Sequence, residues 1–468
     1  MANFKQESLE INKIMYGERL KYPVRIILVT LLSLVALITF VNNANAALVI
    51  EITEGVDDAT PIAVVPFKVA NGAKLPTDVA AVIEADLARS AQFNPLARKD
   101  MLAKPTSPRE IKFKNWRMLD VPNLVIGEIE AKKDGTYFVK FRLYDVYRQK
   151  QIIGYGFPAK ASQLRKIAHK ISDVIYEELM GVKGAFDTQV VYIKKFPNKD
   201  QKPYRLYLAD ADTYNEQEVM RHDWPLFSPS WSPDNSKLAF AMAGSRGAGI
   251  FIFDVSTGKS PKRLTKRSIK ASAPSWSPDG KKMAMQVLEN GSSDIFVMDI
   301  KTKRMTRIAP HWSIDVEPVW APDAKSIVFT SERGGSPQLY QYTFSTKKAK
   351  RLTFKGNQNL RASFSPDGKM ITFVHLSENN GYNIAVMDLS TREMHIVADS
   401  SYGESEHESP SFAPNGSMII YAANYPQKGK KEKKTGLVAV SVDGTVQQHF
   451  TDDGIGEVRE PAWSSYLN

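Results

Sequence analysis

Short apolar runs recur at even intervals over the C-terminal part of the chain. They read KLAFA at Lys237, SIVFT at Ser326, MITFV at Met370 and MIIYA at Met418, and they are nearly continuous rather than alternating. A strand with water on one face alternates apolar and polar residues, whereas a strand buried on both faces does not. The pattern therefore predicts short strands packed between other sheets. Pro and Gly between the runs exclude long amphipathic helices.

A repeat phrase accompanies these runs. It reads PSWSPDN at Pro229, PSWSPDG at Pro274, PVWAPDA at Pro318, ASFSPDG at Ala362, PSFAPNG at Pro410 and PAWSSYL at Pro461, and its aromatic position recurs every 44 to 51 residues. Ser-Pro-Asp-Gly is turn chemistry, because proline presets φ, aspartate bonds its own backbone and glycine accepts positive φ. Four strands per unit at this spacing are typical of a propeller blade.

The two ends of the repeat region predict how the ring closes. The sixth phrase has almost nothing after it, while QVVYIKK from Gln189 precedes the first phrase and lacks an inner partner. We expect the C-terminal strand, Glu460 to Ser464, to pair with the strand near Val190–Ile193, which removes the exposed edges at the seam. Residues 183–468 are thus predicted to form an all-β six-bladed β-propeller.

Residues 61–182 show mixed periodicity and predict a compact α/β domain. Gly181 stands where the last helix should stop, and the short link from Gly181 to Asp187 predicts that this domain shares a contact surface with the propeller. The predicted elements are a strand at Pro61–Lys68, a helix at Thr77–Ser90, a hairpin of Leu124–Glu130 with Tyr137–Tyr144, and a helix at Ser162–Met180.

The first 46 residues have the features of a secretory signal peptide. An apolar stretch at Ile26–Val41 follows several basic residues and precedes Ala44-Asn45-Ala46, a small-x-small pattern that predicts cleavage after Ala46. Translation could begin at Met1 or at Met15. The chain contains no cysteine, which suits export, and its net charge of +11 makes it basic. Residues 47–60 then form an extended N-terminal segment.

The sequence does not favour catalytic or metal chemistry. It contains no Gly-x-Ser-x-Gly pentapeptide of a serine hydrolase, and its seven histidines show no close metal-ligand spacing. The run Asp210-Ala211-Asp212 is interpreted as a solvated strand end rather than a calcium site. We expect no enzyme activity, no cofactor and no metal, and the export signal argues against nucleic-acid binding.

These features together resemble the TolB family. The residues that carry the resemblance are the segment ALVIEITEGVD at Ala47, the strand PIAVVPF at Pro61, the Phe-Asp-Thr beginning at Phe186 and the six repeat phrases. The resemblance implies a non-enzymatic periplasmic scaffold of the Tol-Pal system. Such a protein is a monomer by itself, links the lipoprotein Pal to inner-membrane TolA, meets membranes through these partners, and supports outer-membrane integrity and constriction during cell division.

A propeller concentrates ligand contacts at the mouth of its central channel, where the connections into the innermost strands converge. By the resemblance this mouth receives Pal. The residues expected to contact Pal are Lys270, Ala273, Val316, Glu317, Asn359, Arg361 and Glu408, which we call the channel rim. Glu317 and Glu460 directly precede the proline of their phrases and could equally satisfy backbone amides.

The segment after the predicted cleavage site alternates loosely between apolar and polar residues and suits strand addition to another protein. The resemblance implies that it contacts TolA through Ala47, Leu48, Val49, Ile50, Glu51, Ile52, Thr53 and Glu54. The same segment could instead be an edge strand of the α/β domain. The alternative for the whole chain is an exported carbohydrate-binding or hydrolytic propeller protein.

Overall fold

The structure is a computed structural model that describes residues 59–70, 75–197, 201–378, 381–400, 406–426, 433–450 and 456–467. The described residues belong to one compact unit. Among the described residues, no helix combines the length and the apolar character needed to cross a bilayer.

The N-terminal part is a mixed sheet with helices against it. The elements are β1 (Thr60–Val64), β2 (Lys68–Val69), α1 (Val79–Arg89), β3 (Phe93–Pro95), α2 (Phe113–Met118), β4 (Asn123–Ala131), β5 (Tyr137–Asp145), β6 (Lys150–Ala159) and α3 (Leu164–Met180). The strands lie in the order β3-β1-β4-β5-β6, and β2 pairs with β4.

Both faces of this sheet are covered, which explains the continuous apolar run at its first strand. Ile62 and Val64 face the core that contains α1 and α3, whereas Ala63 and Val65 face a second core around Trp116 of α2. Asp78 caps α1 by accepting a hydrogen bond from Ala81 N at 3.0 Å.

The helix α3 ends as the sequence predicts. Gly181 follows it with φ +74°, a left-handed conformation that glycine adopts at low cost. The structure differs from the sequence-based expectation at three places in this region. The strand predicted at Pro61–Lys68 is divided into β1 and β2. The short helix α2 was not predicted, and neither was β6, whose two glycines and largely exposed residues hide its pattern.

The remaining strands form six four-stranded blades within the described residues, which confirms the propeller. Blade 1 contains β30 (Glu457–Trp463), β7 (Gln189–Lys195), β8 (Tyr204–Asp210) and β9 (Gln217–His222). Blade 2 contains β10 (Leu226–Trp231), β11 (Lys237–Met242), β12 (Gly249–Asp254) and β13 (Lys262–Arg263). Blade 3 contains β14 (Lys270–Trp276), β15 (Lys282–Glu289), β16 (Ser292–Asp299) and β17 (Met305–Arg307).

The other three blades follow the same order, from the innermost strand to the outermost. Blade 4 contains β18 (Asp315–Trp320), β19 (Ser326–Ser331), β20 (Gln338–Thr343) and β21 (Lys348–Arg351). Blade 5 contains β22 (Gln358–Phe364), β23 (Met370–Leu376), β24 (Tyr382–Asp388) and β25 (Met394–Ala398). Blade 6 contains β26 (Glu406–Phe412), β27 (Met418–Pro426), β28 (Lys433–Ser441) and β29 (Gln447–Phe450).

The predicted closure of the ring is confirmed. In blade 1 the C-terminal strand β30 pairs with β7, so that Trp463 lies opposite Val190 and Arg459 lies opposite Ile193. The indole Nε1 of Trp463 also donates to Oγ1 of Thr188 at 2.8 Å. The first and last strands of the propeller thus form hydrogen bonds with each other along edges that would otherwise be unpaired.

The repeat phrase has two structural roles. Its serine and aspartate close the turn, as where Ser277 Oγ donates to Asp279 Oδ1 at 2.6 Å. Its tryptophan reaches the preceding blade, because Nε1 of Trp276 donates to the carbonyl of Ser230 at 3.3 Å. We call the side where the innermost strands begin the loop face, and the side that carries the phrase turns the turn face.

Candidate functional site

A β-bulge interrupts the innermost strand of every described blade at the same position. The pairing register shifts there in all six blades, and the bulged residue has φ between +49° and +56°. None of these residues is glycine, although a left-handed backbone costs other residues energy. The six positions, which we call the bulge ring, are Ser228, Ala273, Glu317, Arg361, Ser409 and Glu460.

The bulge ring surrounds a cavity of about 390 Å³ at the propeller axis. All six of its members line this cavity, together with the phrase residues that follow them. Positions 44 to 51 residues apart in the sequence therefore meet at one place. A bulge re-aims the side chain it carries, which brings polar groups into the channel.

One arginine links the charged members of the bulge ring. Arg361 Nε donates to Glu317 Oε1 at 2.9 Å, and its Nη1 lies 3.5 Å from Glu460 Oε1. The Arg361 side chain remains 34% exposed. Burial alone would lower the pKa of this guanidinium, but the carboxylates of Glu460, Glu317 and Glu408 raise it above its usual value. Arg361 is therefore a permanent positive charge among three carboxylates.

The two glutamates of the bulge ring have a structural task as well. Glu317 Oε2 accepts a hydrogen bond from Arg361 N at 3.2 Å, and Glu460 Oε2 accepts one from Ser228 N. In both cases the acceptor is a bulge residue and the donor is the bulge residue of the next blade. The sequence left open whether these glutamates satisfy backbone amides, and the structure shows that they do.

Three further residues of the predicted channel rim differ in their surroundings. Lys270 is exposed at the start of β14, Val316 is half-buried, and Glu408 is half-buried beside the bulge ring. Burial raises the pKa of Glu408, and Arg361 opposes this shift. All three lie in the first half of the innermost strands of blades 3, 4 and 6, toward the loop face, a position that suits contact with a larger partner.

Asn359 does not face the mouth. It is completely buried, its Nδ2 donates to Gln338 Oε1 at 2.8 Å, and its Oδ1 lies 2.9 Å from His375 Nδ1. The side-chain amide of Asn359 therefore joins blade 5 to blade 4, and it also donates to the carbonyl of Lys355 in the loop before β22. Ser228 and Ser409 were not predicted as members of the ring, although each directly precedes the proline of its phrase, which is the signal that identifies them.

A second polar cluster lies between the N-terminal part and the propeller. His169 Nδ1 of α3 lies 2.8 Å from Asp86 Oδ2 of α1, and Arg89 Nη1 lies 3.3 Å from Asp212 Oδ2 after β8. Arg165 of α3 pairs with Asp212 as well. The interpretation of residues 210–212 as a solvated strand end was wrong for Asp212, which is 1% exposed and ion-paired.

In this cluster, acidic and basic side chains compensate one another. We call it the domain latch, and it consists of Asp86, Arg89, Arg165, His169 and Asp212. Burial alone would raise the pKa of Asp212, but Arg89, His169 and Arg165 hold it well below its usual value. Burial alone would lower the pKa of His169, but Asp86 and Asp212 raise it. Asp86, His169 and Asp212 could reach a common metal ion, yet two guanidiniums already supply the positive charge that a cation would bring.

The short link between the two parts is also fixed. Asp173 of α3 accepts hydrogen bonds from the backbone amides of Phe186 and Asp187 at 2.8 and 3.1 Å. Gln448 of β29 donates to the carbonyl of Arg89 across the boundary. The residues predicted to meet TolA, Ala47 to Glu54, lie outside the described residues.

Comparisons with known proteins agree with this architecture along most of the chain. Residues 48–152 match the model of the TolB amino-terminal domain, and residues 176–467 match that of the TolB beta propeller domain. The chain is 48% identical to the Tol-Pal system protein TolB of Nitrosococcus oceani, over 93% of this chain and 98% of that protein. It is 50% identical to the protein of that name in Thioalkalivibrio sulfidiphilus, over 91% of this chain and 95% of that protein.

A solved structure gives the same result. The crystal structure of TolB from Acinetobacter baumannii superimposes with a TM-score of 0.79 at 34% identity, and the match covers 90% of this chain and all of that one. The resemblance noted from the repeat phrases is confirmed at the level of both domains. The chain therefore belongs to the TolB family and is a component of the Tol-Pal system.

Proposed function

We propose that this Tol-Pal component is a non-enzymatic periplasmic scaffold that binds the lipoprotein Pal at the channel mouth and TolA through residues 47–54. In this role it supports outer-membrane integrity and constriction during cell division. Cleavage after Ala46 would leave the segment at the free N-terminus of the exported chain.

The bulge ring is the observation that supports this proposal most directly. Six non-glycine residues hold a left-handed backbone around one cavity, and such strain persists mainly where function requires it. Arg361 stands there among the two glutamates of the ring and the adjacent Glu408, and mixed charge of this kind gives specificity to a protein interface. Lys270 and Val316 extend the same surface toward the loop face.

Binding to the soluble peptidoglycan-associated domain of Pal tests the first half of the proposal. We expect Lys270→Glu and Val316→Asp each to weaken binding about tenfold or more, as substitutions of central interface residues do. Lys281→Glu is the matched control, because Lys281 is an exposed lysine of the same blade on the turn face. Full binding by both rim variants, or no binding by the folded wild-type chain, would contradict the proposal.

Deletion of Leu48–Glu54 tests the second half. Strand addition depends on main-chain hydrogen bonds from an extended segment, so the deletion should abolish TolA binding and leave Pal binding and thermal unfolding unchanged. A deleted protein that still binds TolA would show that another surface receives it.

A hydrolytic propeller is less well supported. One serine–histidine pair in the described chain has a suitable separation, with His311 Nδ1 2.8 Å from Ser313 Oγ. The same Nδ1 also accepts the backbone amide of Ser313 at 3.1 Å, so the pair closes a local turn in a loop. Serine catalysis needs a histidine that is oriented by a third group and faces a substrate site. The pair in this loop instead acts as backbone support.

A further inference from the structure

The outer edge of the propeller is strongly asymmetric in charge. Residues 259–267, 301–312 and 345–355 include the outermost strands of blades 2, 3 and 4, and together they contain fourteen Lys or Arg and no Asp or Glu. The corresponding stretches of blades 5, 6 and 1, residues 389–400, 442–450 and 211–223, are each net acidic. Three adjacent blades thus form a basic side, which we call the basic edge.

Most charges of the basic edge face water. Arg307 pairs with Asp294 at 2.6 Å, and it is the one member of the fourteen with an ion pair inside the described part of the chain. Lys348 and Lys350 on β21 are exposed, as are Lys266 and Arg267 in the connection to β14. A positive field of this extent attracts an anionic partner over several ångströms at physiological salt.

Two large aromatic residues stand at the loop-face end of the basic edge. Trp312 is 83% exposed in the connection from blade 3 to blade 4, and Phe354 is 73% exposed in the connection from blade 4 to blade 5. The guanidinium of Arg351 lies 4.9 Å from the centre of the Phe354 ring. Transfer of such exposed aromatic side chains from water into an apolar phase is favourable, because their apolar surface is then removed from water.

We infer that the basic edge and these two aromatics form a docking surface for an anionic phospholipid bilayer. Lysine and arginine meet the phosphate headgroups, while Trp312 and Phe354 enter the interfacial layer, where aromatic rings are favoured. The combination favours a bilayer over an acidic protein, because flexible lysines spread over three blades require no fixed geometry from their partner. Contact through Pal and TolA alone would not require this surface.

The exported chain from Ala47 onward, which contains all of the described residues, is the protein to test. The preceding apolar stretch is omitted because it would bind lipid by itself. Co-sedimentation should show binding to vesicles of phosphatidylglycerol and phosphatidylcholine mixed equally. Binding to pure phosphatidylcholine should be much weaker, and added salt should reduce the binding to mixed vesicles.

Two double variants locate the surface. Lys348→Glu with Lys350→Glu should reduce partition onto mixed vesicles by about tenfold or more, because two attractive charges become repulsive toward the anionic surface. Trp312→Ser with Phe354→Ser should cause a loss of similar size, because two aromatic rings no longer enter the interfacial layer. Lys281→Glu with Lys325→Glu is the matched control, because it makes the same charge change at exposed lysines of blades 3 and 4 on the turn face.

Retained binding by the β21 double variant overturns the inference, as does an equal loss in the control. Equal binding to neutral and anionic vesicles also overturns it. Circular dichroism and thermal unfolding of each variant show whether it is folded. The measurement contains no Pal, so its outcome is independent of whether Pal binds the channel mouth.

Discussion

Arg361 and Glu317 occupy the same position of the repeat in neighbouring blades, and they bond to each other twice. Arg361 Nε donates to Glu317 Oε1 at 2.9 Å, and Arg361 N donates to Glu317 Oε2 at 3.2 Å. The two residues are 44 apart in the chain. One side chain therefore neutralises the charge of the next blade's bulge residue and satisfies its backbone.

Removal of this carboxylate should destabilise the propeller. We expect Glu317→Ala to lower the free energy of unfolding by about 1–3 kcal/mol, because a backbone amide and a guanidinium lose an acceptor. Glu317→Gln keeps one acceptor oxygen and should cost less. Urea unfolding of Glu317→Ala, Arg361→Ala and the variant with both substitutions gives the coupling energy between these two side chains. Glu317→Gln is measured in the same way. Strictly additive effects would contradict a direct interaction.

Loss of the Asp212 carboxylate from the domain latch should lower the free energy of unfolding more than loss of the Glu317 carboxylate does. Asp212→Ala leaves the buried Arg89 and the partly buried Arg165 without their shared carboxylate, which should cost about 3–5 kcal/mol. Separation of the two parts would also expose the link at residues 181–187 to proteolysis. Asp223→Ala, at an exposed position, is the control and should change neither unfolding nor cleavage.

The stability of blade 6 should depend on pH through His407. Burial lowers the pKa of this histidine from 6.5 to about 4. The folded state therefore disfavours the proton that the unfolded state accepts, so the stability is complete above pH 6.5 and falls as pH decreases toward 4. His407→Gln should remove this contribution. The difference in unfolding free energy between wild type and variant should change across that range, and a constant difference would contradict the prediction.

The seam of the ring can be tested at Trp463. Trp463→Phe keeps an aromatic side chain against the neighbouring blades but removes the hydrogen bond to Thr188. We therefore expect a loss of about 1 kcal/mol in the free energy of unfolding. Thr188→Val should cause a similar loss. If the hydrogen bond is responsible, the double variant costs less than the sum of the two single variants.

Local chemistry accounts for what could be predicted. Each Ser-Pro-Asp-Gly turn closes through its own serine and aspartate, as Ser277 and Asp279 show, so a window of a few residues is sufficient to place it. The missed strand β6 shows the limit. Its residues pair with β5 although two glycines and exposed positions weaken every local signal, because the tertiary partner decided the outcome.

The sequence by itself determined the number of blades, the position of each turn and the pairing of the C-terminal strand with β7, because repeat spacing and apolar patterning are local properties. Only the tertiary structure decided that Arg361 meets the glutamates of other blades, that Asn359 is buried, and that Asp86, His169 and Asp212 share one cluster. These contacts join residues 16 to 126 positions apart, and their partners depend on how the blades and helices are stacked. No local pattern contains that information.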